Sequence, residues 1–275
     1  MSEQIVAQHY AHGSLQAAIL KALEAAGKDQ NQLSIKDLSP VDEFHIGGRL
    51  ATVEFAKQLK LQPGMQVLDI GCGLGGASRY IAQEYQCEVA GIDLSGEYVE
   101  VAKMLAERVK LDAKVRYQQG SALELPFADA SFDVAYMCHV GMNIEDKAKL
   151  FSEVRRVLTP SGVFGIYDVM RLADGDLHYP VPWTSSVDVS FVAAAEDYRR
   201  LLAAEGFEVL KERNRRDFAL EVFAQMKARG AAGAPPPLGL HIVMGASAGQ
   251  KVKNMMGDIG AGLIAPTELI CRLAK

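Results

Sequence analysis

Two kinds of hydrophobic pattern divide this chain near Gly64. Before that point, apolar residues recur at helical spacing over Ser14–Ala26 and again over about Leu50–Leu61, and a polar stretch separates the two runs. Pro63 stands directly after the second run, where it would end a helix. Residues 1–63 are therefore expected to form a helical segment, which we call the front segment.

Short strand-like runs alternate with helical runs after Gly64. Each strand-like run is rich in apolar and β-branched residues, as buried strands are; in chain order the runs are MQVLDIG, CEVAGID, KVRYQQG, FDVAYM, GVFGIYD, FEVLKE and TELICRLA. Helical patterns lie between them at roughly 75–86, 96–111, 145–158 and 195–205. This alternation is typical of βαβ units. It predicts an α/β fold with a doubly wound, mostly parallel seven-stranded sheet in which only the last strand is antiparallel.

The alternation stops beyond Glu212. Helical patterns over Arg216–Arg229 and Gly249–Gly262 flank the loop GAAGAPPP before the last strand follows. We call residues 216–262 the insertion and expect it to belong to a sheet domain at 64–275. A hairpin of roughly 2–5 residues can join adjacent strands, so this detour predicts a mobile lid that closes over a ligand together with residues 1–48 of the front segment. A rigid insertion at a homodimer interface is the alternative.

Composition and charge narrow the class of partner. Hydrophobic residues make up 49% of the 275 and charged residues 23%, which is typical of a globular protein. Lys and Arg total 29 against 34 Asp and Glu, so the net charge of −5 disfavours nucleic acid as a partner. Apolar runs stay well below the roughly 18 residues of a membrane span, and the opening MSEQIVAQHYAHG is unlike a signal peptide. We expect a soluble protein with no stable membrane association.

The four cysteines are scattered along the chain and form no CxxC pair. This arrangement favours reduced thiols over a disulfide framework or a zinc site. The sequence therefore predicts a cytoplasmic location and no bound metal.

A glycine-rich run, VLDIGCGLGG, leads from the first strand of the sheet into a helix. Its glycines match both GxGxxG and GxGxG, so they do not by themselves distinguish a dinucleotide site from an S-adenosylmethionine site. Asp69 lies two positions before Gly71, where a carboxylate would repel a pyrophosphate but suit the cationic amino-acid end of S-adenosylmethionine. Asp93, at the end of the next strand, can accept hydrogen bonds from ribose hydroxyls in either case.

The stretch from Val67 to about Asp168 resembles the class I S-adenosylmethionine-dependent methyltransferase family. VLDIGCGLGG is similar to its first motif, GIDLS to its ribose-binding motif, GSALELPFADASFDVAYM to its adenine-binding region and LTPSGVFGIYD to its fifth strand. The resemblance implies S-adenosylmethionine as cofactor, bound by Asp69, Gly71, Gly73, Gly75, Asp93, Leu94, Ser121, Ala122 and His139. Many relatives carry Asp where this chain has Ser121, whose hydroxyl can still accept a hydrogen bond.

Two further residues mark the expected acceptor site. His139 follows the fourth strand and Asp168 ends the fifth, so both are expected at the carboxyl edge of the sheet, where ligands bind in such folds. They are expected either to form a His–carboxylate pair that takes a proton from the acceptor or to have structural roles only.

The sequence after strand four also limits the acceptor. Met137 to Gly141 reads MCHVG, which is unlike the [DNS]PP[YF] motif of nucleobase amino methyltransferases. Cys138 stands where the otherwise similar cyclopropane fatty acid synthases carry a glutamate that helps hold bicarbonate, which disfavours cyclopropanation.

The segment FHIGG at Phe44–Gly48 resembles the IHxG segment of sarcosine and dimethylglycine N-methyltransferases. That resemblance implies that the front segment folds over the methyl group and that His45 and Tyr10 face the acceptor. The sequence therefore predicts methyl transfer from S-adenosylmethionine to a nitrogen, oxygen or carbon of a small molecule. An NAD-dependent oxidoreductase and a non-catalytic S-adenosylmethionine-binding protein are the alternatives.

Overall fold

A seven-stranded sheet forms the centre of the computed structural model, which describes residues 2–10, 13–230 and 236–274. The strands are β1 (Gln66–Ile70), β2 (Glu88–Asp93), β3 (Val115–Gln119), β4 (Phe132–Cys138), β5 (Leu158–Arg171), β6 (Phe207–Asn214) and β7 (Ile264–Leu273). Their spatial order is β3-β2-β1-β4-β5-β7-β6, and β7 runs antiparallel to both of its neighbours. The predicted doubly wound sheet with an antiparallel last strand is confirmed.

Helices cover both faces of this sheet. They are α1 (Ser2–His9), α2 (Leu15–Ala25), α3 (Ile35–Asp42), α4 (Gly48–Ala56), α5 (Gly76–Tyr85), α6 (Gly96–Arg108), α7 (Lys147–Val157), α8 (Ala195–Ala204), α9 (Arg216–Gly230), α10 (His241–Met244) and α11 (Ala248–Gly260). Helices α4, α5 and α6 pack on one face and α7 and α8 on the other. No described helix is long and apolar enough to cross a membrane.

The strand order reverses between β1 and β4. Parallel pairing sets Ile70 beside Met137, so the glycine loop after β1 and the segment after β4 begin side by side. In open α/β sheets, the crevice at such a reversal is where ligands bind. The topology therefore brings Gly71 and His139 to one place, although 68 positions separate them in the sequence.

Part of the polar stretch in the front segment forms a helix that the hydrophobic pattern did not predict. Ser34 and Asp37 form a reciprocal capping box at the start of α3, and Ile35, Leu38 and Val41 form its buried face. Pro40 lies inside this helix and weakens the sequence signal, since proline removes one backbone donor. A buried ion pair then docks α3 on α5, where Arg79 donates to Asp42 at 2.7 Å.

The front segment and the insertion contact each other. Leu15 and Ile19 of α2 lie in one buried cluster with two residues of the insertion. Leu238 precedes α10, and Val243 lies within it. We call these two segments together the cover. They therefore pack against each other above the carboxyl edge of the sheet. The GAAGAPPP loop lies largely outside the described residues.

Candidate active site

A half-enclosed cavity of about 890 Å³ lies between the carboxyl edge of the sheet and the cover. Its wall includes the glycine loop, the ends of β2 and β4, the front segment and the insertion. Ligand pockets usually measure roughly 300–1,000 Å³, so this cavity lies near the upper end of that range. It has room for a nucleoside and a second small molecule.

Asp93 lies on the cavity wall and holds the glycine loop in place. One carboxylate oxygen accepts from the Gly73 amide at 2.8 Å and the other from the Ser95 amide at 2.9 Å. Each carboxylate oxygen has two lone pairs, so Asp93 can accept further hydrogen bonds from hydroxyl groups in the cavity. Leu94 lies next to it on the wall.

The three glycines of the loop have different surroundings. Gly71 and Gly73 line the cavity, both with positive φ. A side chain on Gly71 would approach Val140 to 2.5 Å, whereas one on Gly73 would meet nothing within 4 Å. Gly75 is the N-cap of α5 and is not part of the described cavity wall. Gly75 also has a packing role, because a Cβ there would lie 2.3 Å from the Tyr117 hydroxyl, and its contact with a cofactor stays a prediction.

Asp69 lies beneath the glycine loop rather than on the cavity wall. It is 3% exposed and accepts a hydrogen bond from Ser78. Burial raises the pKa of Asp69 to about 7, opposed by the hydrogen bond from Ser78. Asp69 braces the start of α5 through Ser78 and is not among the described wall residues. Its direct contact with a cationic ligand group stays a prediction.

Ser121 contacts a residue from the other end of the sequence. Its hydroxyl donates to the carboxylate of Glu3 in α1 and accepts from the Leu123 amide at 3.0 Å. Glu3 and Ala122 lie on the cavity wall, whereas Ser121 is not among the described wall residues. The structure thus brings a carboxylate to the position where the sequence offered only a hydroxyl.

His139 connects the end of β4 to the front segment. Its Nε2 accepts from the Ile46 amide at 3.3 Å, so the proton of the neutral ring is on Nδ1, which donates to the Tyr167 carbonyl at 3.2 Å. Burial lowers the pKa of His139 to about 3. Both ring nitrogens are therefore occupied by backbone groups, although the ring lies on the cavity wall.

The expected pair between His139 and Asp168 is not formed. Asp168 is fully buried, accepts a hydrogen bond from the Tyr198 hydroxyl, and is absent from the described part of the cavity wall. Burial raises the pKa of Asp168 to about 6. Its carboxylate is bonded to Tyr198 of α8 instead of His139.

A different His–carboxylate arrangement is present in the front segment. His45 Nε2 donates to the Gly48 carbonyl at 3.2 Å and lies 3.0 Å from the Thr52 hydroxyl and 3.6 Å from a carboxylate oxygen of Glu43. Thr52 donates to that same oxygen at 2.6 Å. Burial lowers the pKa of His45 to about 4, so the ring is neutral and its Nδ1 carries a lone pair. Among the described groups, none bonds to this nitrogen.

Tyr10 also lies on the cavity wall, as expected. Its hydroxyl accepts from the side-chain amide of Asn143 at 2.9 Å, and burial raises its pKa, which keeps the phenol neutral. Asn143 Oδ1 is buried at the cavity wall, and no hydrogen bond to it is present among the described residues.

Glu3, Glu43 and Asn143 are wall residues that the sequence analysis missed. Glu3 lies outside every recognisable motif. Glu43 directly precedes the FHIGG segment, so its position beside His45 was the one available signal.

A family model described as a methyltransferase domain matches residues 68–166. An O-methyltransferase from Pyrenophora dematioidea is 31% identical over 175 residues, which is 63% of this chain and 65% of the relative. The chain thus spans just under two thirds of that relative's length. The O-methyltransferase resE from Aspergillus sclerotiorum is 30% identical over 205 residues, covering 72% of this chain and 76% of the relative.

A solved structure has the same fold. The protein, from Galdieria sulphuraria and assigned as a sarcosine dimethylglycine methyltransferase, superposes with a TM-score of 0.64 at 22% identity. The superposition covers 82% of this chain and 85% of the other.

Proposed function

This chain belongs to the class I S-adenosylmethionine-dependent methyltransferase family, and we propose that it methylates a small organic molecule held in the cavity beside the cofactor. The observation that carries the proposal is the cavity wall itself. One side consists of the glycine loop and Asp93, and the other is formed by the cover. The two sides suit a nucleoside cofactor and a separate acceptor.

The polar groups on the cofactor side of the cavity match those of S-adenosylmethionine. In this proposal Asp93 accepts from the ribose hydroxyls while Gly71 and Gly73 allow close approach of the backbone. Leu94 and Ala122 contact the adenine, and Glu3, braced by Ser121, accepts from its amino group. His139 holds the front segment against the sheet, and Asp69 supports the loop from below.

When bound, S-adenosylmethionine supplies a methyl group on a sulfonium, and its transfer to an acceptor X–H forms an X–CH3 bond, leaves the thioether and releases one proton. We propose that His45 accepts that proton at Nδ1. Glu43 and Thr52 stabilise the resulting imidazolium from the Nε2 side. Tyr10 and Asn143 position the acceptor. The acceptor atom that we favour is oxygen, since two of the relatives are named O-methyltransferases.

In this proposal the chain is organised as a sheet domain at 64–275 with two covering parts, residues 1–63 and about 216–262. We further propose a cytoplasmic location and no nucleic-acid partner. The four free cysteines support the location, and the net charge of −5 supports the absence of a nucleic-acid partner. A homodimer is compatible with the proposal but is not needed to complete the site.

Calorimetry with S-adenosylhomocysteine tests the cofactor assignment. Asp93→Asn should weaken binding by about 1.5–3 kcal/mol, the scale of a lost hydrogen bond to a charged group. Asp133→Asn is the matched control, because Asp133 accepts from the Gln66 amide at the opposite end of the sheet. Equal affinities of the wild type and Asp93→Asn would remove Asp93 from the cofactor site.

Turnover tests the enzymatic part. Purified protein incubated with methyl-labelled S-adenosylmethionine and a metabolite extract should form S-adenosylhomocysteine and one labelled product. His45→Gln should slow this transfer by about 10²–10⁴-fold with cofactor affinity retained. Binding of S-adenosylhomocysteine without any transfer would favour the non-catalytic alternative, and preferential binding of NAD would favour the oxidoreductase.

A further inference from the structure

We propose that the acceptor is an uncharged, largely apolar molecule that carries one hydrogen-bond-donating group such as a hydroxyl. This inference rests on the proposed function and adds the class of acceptor. It comes from the chemistry of the cavity wall on the side of the cover, from the placement of the charged wall residues, and from one unpaired oxygen.

The insertion presents an apolar wall. Phe223 of α9, Leu238, and Met244 of α10 all line the cavity and are at least nine-tenths buried. Val252 and Met255 of α11 continue this surface. The one polar side chain that the described insertion adds to the wall is His241, which is solvent-exposed. An apolar body in this space would gain roughly 25 cal/mol for each Å² removed from water.

Wall residues from outside the insertion pack against these side chains and are apolar as well. We call this part of the cavity, which both sets of residues line, the chamber. Ile46 of the front segment, Met142 and Trp183 line it, and each is at most 5% exposed. The Trp183 indole N–H donates to the Ser190 hydroxyl at 3.0 Å, so its polar atom is already paired. Trp183 therefore offers a ligand only its ring surface.

The charged residues of the described wall are all carboxylates. Asp93 and Glu3 belong to the cofactor side, and Glu43 is paired with Arg49. Asp146 caps α7 by accepting from the Lys149 amide at 2.8 Å, and Glu145 beside it is solvent-exposed. A phosphate would be repelled by these carboxylates. An ammonium would lose its hydration among the apolar side chains, and the single neutral oxygen of Asn143 would not replace it.

One oxygen on the wall requires a hydrogen-bond donor. Asn143 donates its amide N–H to Tyr10, and this directs Oδ1 to a buried place where no described group bonds to it. Buried acceptors are normally paired. A hydroxyl of the acceptor would satisfy Asn143 Oδ1, whereas an ether or a plain hydrocarbon would leave it unpaired.

Ligands that share a decyl chain and differ in the charge of the head group test whether the cavity prefers an uncharged acceptor. Trp183 is the single tryptophan and lies on the wall, so its fluorescence reports occupancy. Protein saturated with S-adenosylhomocysteine should bind 1-decanol at least about tenfold more tightly than decyl phosphate or decylammonium. Comparable or tighter binding of either charged ligand, or no binding of 1-decanol, overturns the proposal. Failure of S-adenosylhomocysteine itself to bind would instead contradict the proposed function.

Two variants locate the effect. Val252→Lys places a cation on the chamber wall and should shift the preference toward decyl phosphate by about tenfold, whereas Leu210→Lys on the exposed side of β6 should leave it unchanged. Asn143→Ala should remove the preference of the wild type for 1-decanol over 1-methoxydecane, which lacks the donor. Unchanged ligand preferences in both folded variants would refute the assignment of the chamber.

Discussion

Two carboxylates close to the glycine loop differ in what surrounds them. Asp69 is buried beneath the loop and bonded to Ser78, whereas Asp93 lies on the cavity wall and keeps free lone pairs. Both precede a turn at the end of a strand, so their sequence contexts are alike. In the proposed function, the direction of each side chain relative to the cavity gives Asp93 a role in binding and Asp69 a supporting role.

Glu3 carries the first prediction at the residue scale. Glu3→Gln should weaken S-adenosylhomocysteine binding about fivefold, because a hydrogen bond to a charged group exceeds a neutral one by about 1 kcal/mol. Calorimetry measures the change, and Glu24→Gln on the exposed side of α2 is the matched control. Adding Ser121→Asp to Glu3→Gln should restore affinity, since it returns a carboxylate to the same place. Full affinity in Glu3→Gln alone would contradict the assignment.

His139 carries a prediction about acid sensitivity. Burial lowers its pKa from about 6.5 to about 3, so the unfolded chain binds a proton in this window that the folded protein does not. The contribution of His139 to stability is therefore present above pH 6.5 and is lost as the pH falls toward 3.

The variant His139→Asn isolates this contribution, because Asn does not titrate and tolerates the positive φ of 57° at this position. The free energy of unfolding of the variant should depend less steeply on pH, by up to about 1.4 kcal/mol per pH unit. Urea unfolding between roughly pH 4.5 and pH 7.5 measures both slopes. Asp69 and Asp168, whose pKa values are raised, act in the opposite direction but are common to both proteins. Parallel curves would show that His139 has the same proton affinity in both states.

At the scale of elements, the two parts of the cover differ in how firmly they are attached. Helix α3 is fixed to α5 by the buried pair of Arg79 and Asp42, and Ile46 is held by hydrogen bonds from Tyr167 and to His139. The insertion packs on the rest through apolar side chains such as Phe223 and Ile259. Among the bonds described, its Asp258 and Asn254 side chains form hydrogen bonds outside the insertion only to the loop that follows β5. We therefore expect the insertion to move more readily than the segment from Ser34 to Gly48.

Hydrogen exchange tests this difference. Amides of α10 and α11 should exchange faster in the unliganded protein than those of α3 and should become protected with S-adenosylhomocysteine and an acceptor bound. Amides of β1 and β4 serve as the internal control and should stay protected throughout. Equal, slow exchange of α3 and α11 before any ligand is added would support the rigid insertion instead.

At the scale of the whole molecule, the cavity joins the sheet, the front segment and the insertion, so a bound cofactor should stabilise the protein against heat. S-adenosylhomocysteine at about 100 times its Kd should add about 2.7 kcal/mol to the free energy of unfolding. For a chain of this size that corresponds to a Tm increase of roughly 5–10 °C. Thermal unfolding with NAD is the control and should give no shift. A Tm increase with NAD and none with S-adenosylhomocysteine would contradict S-adenosylmethionine as the cofactor of this protein.

The sequence by itself determined the sheet and its glycine loop. Strands such as VLDIG and FDVAYM are short apolar runs between turns, and their burial on both faces follows from hydrophobicity alone. Gly71, Gly73 and Asp93 were predictable because the tight turn and the strand end are local features. The front helix α3 was missed because its capping box and short buried face are weak next to Pro40.

The tertiary structure alone decided which side chains share the cavity. Glu3 reaches Ser121 across 118 positions, and Ile46 reaches His139 across 93, and no local pattern encodes such distances. The same packing separated His139 from Asp168, because Tyr198 and the backbone of the front segment supplied closer partners. A motif specifies the residue types near a turn, but hydrogen-bond partners depend on which segments the folded core brings together.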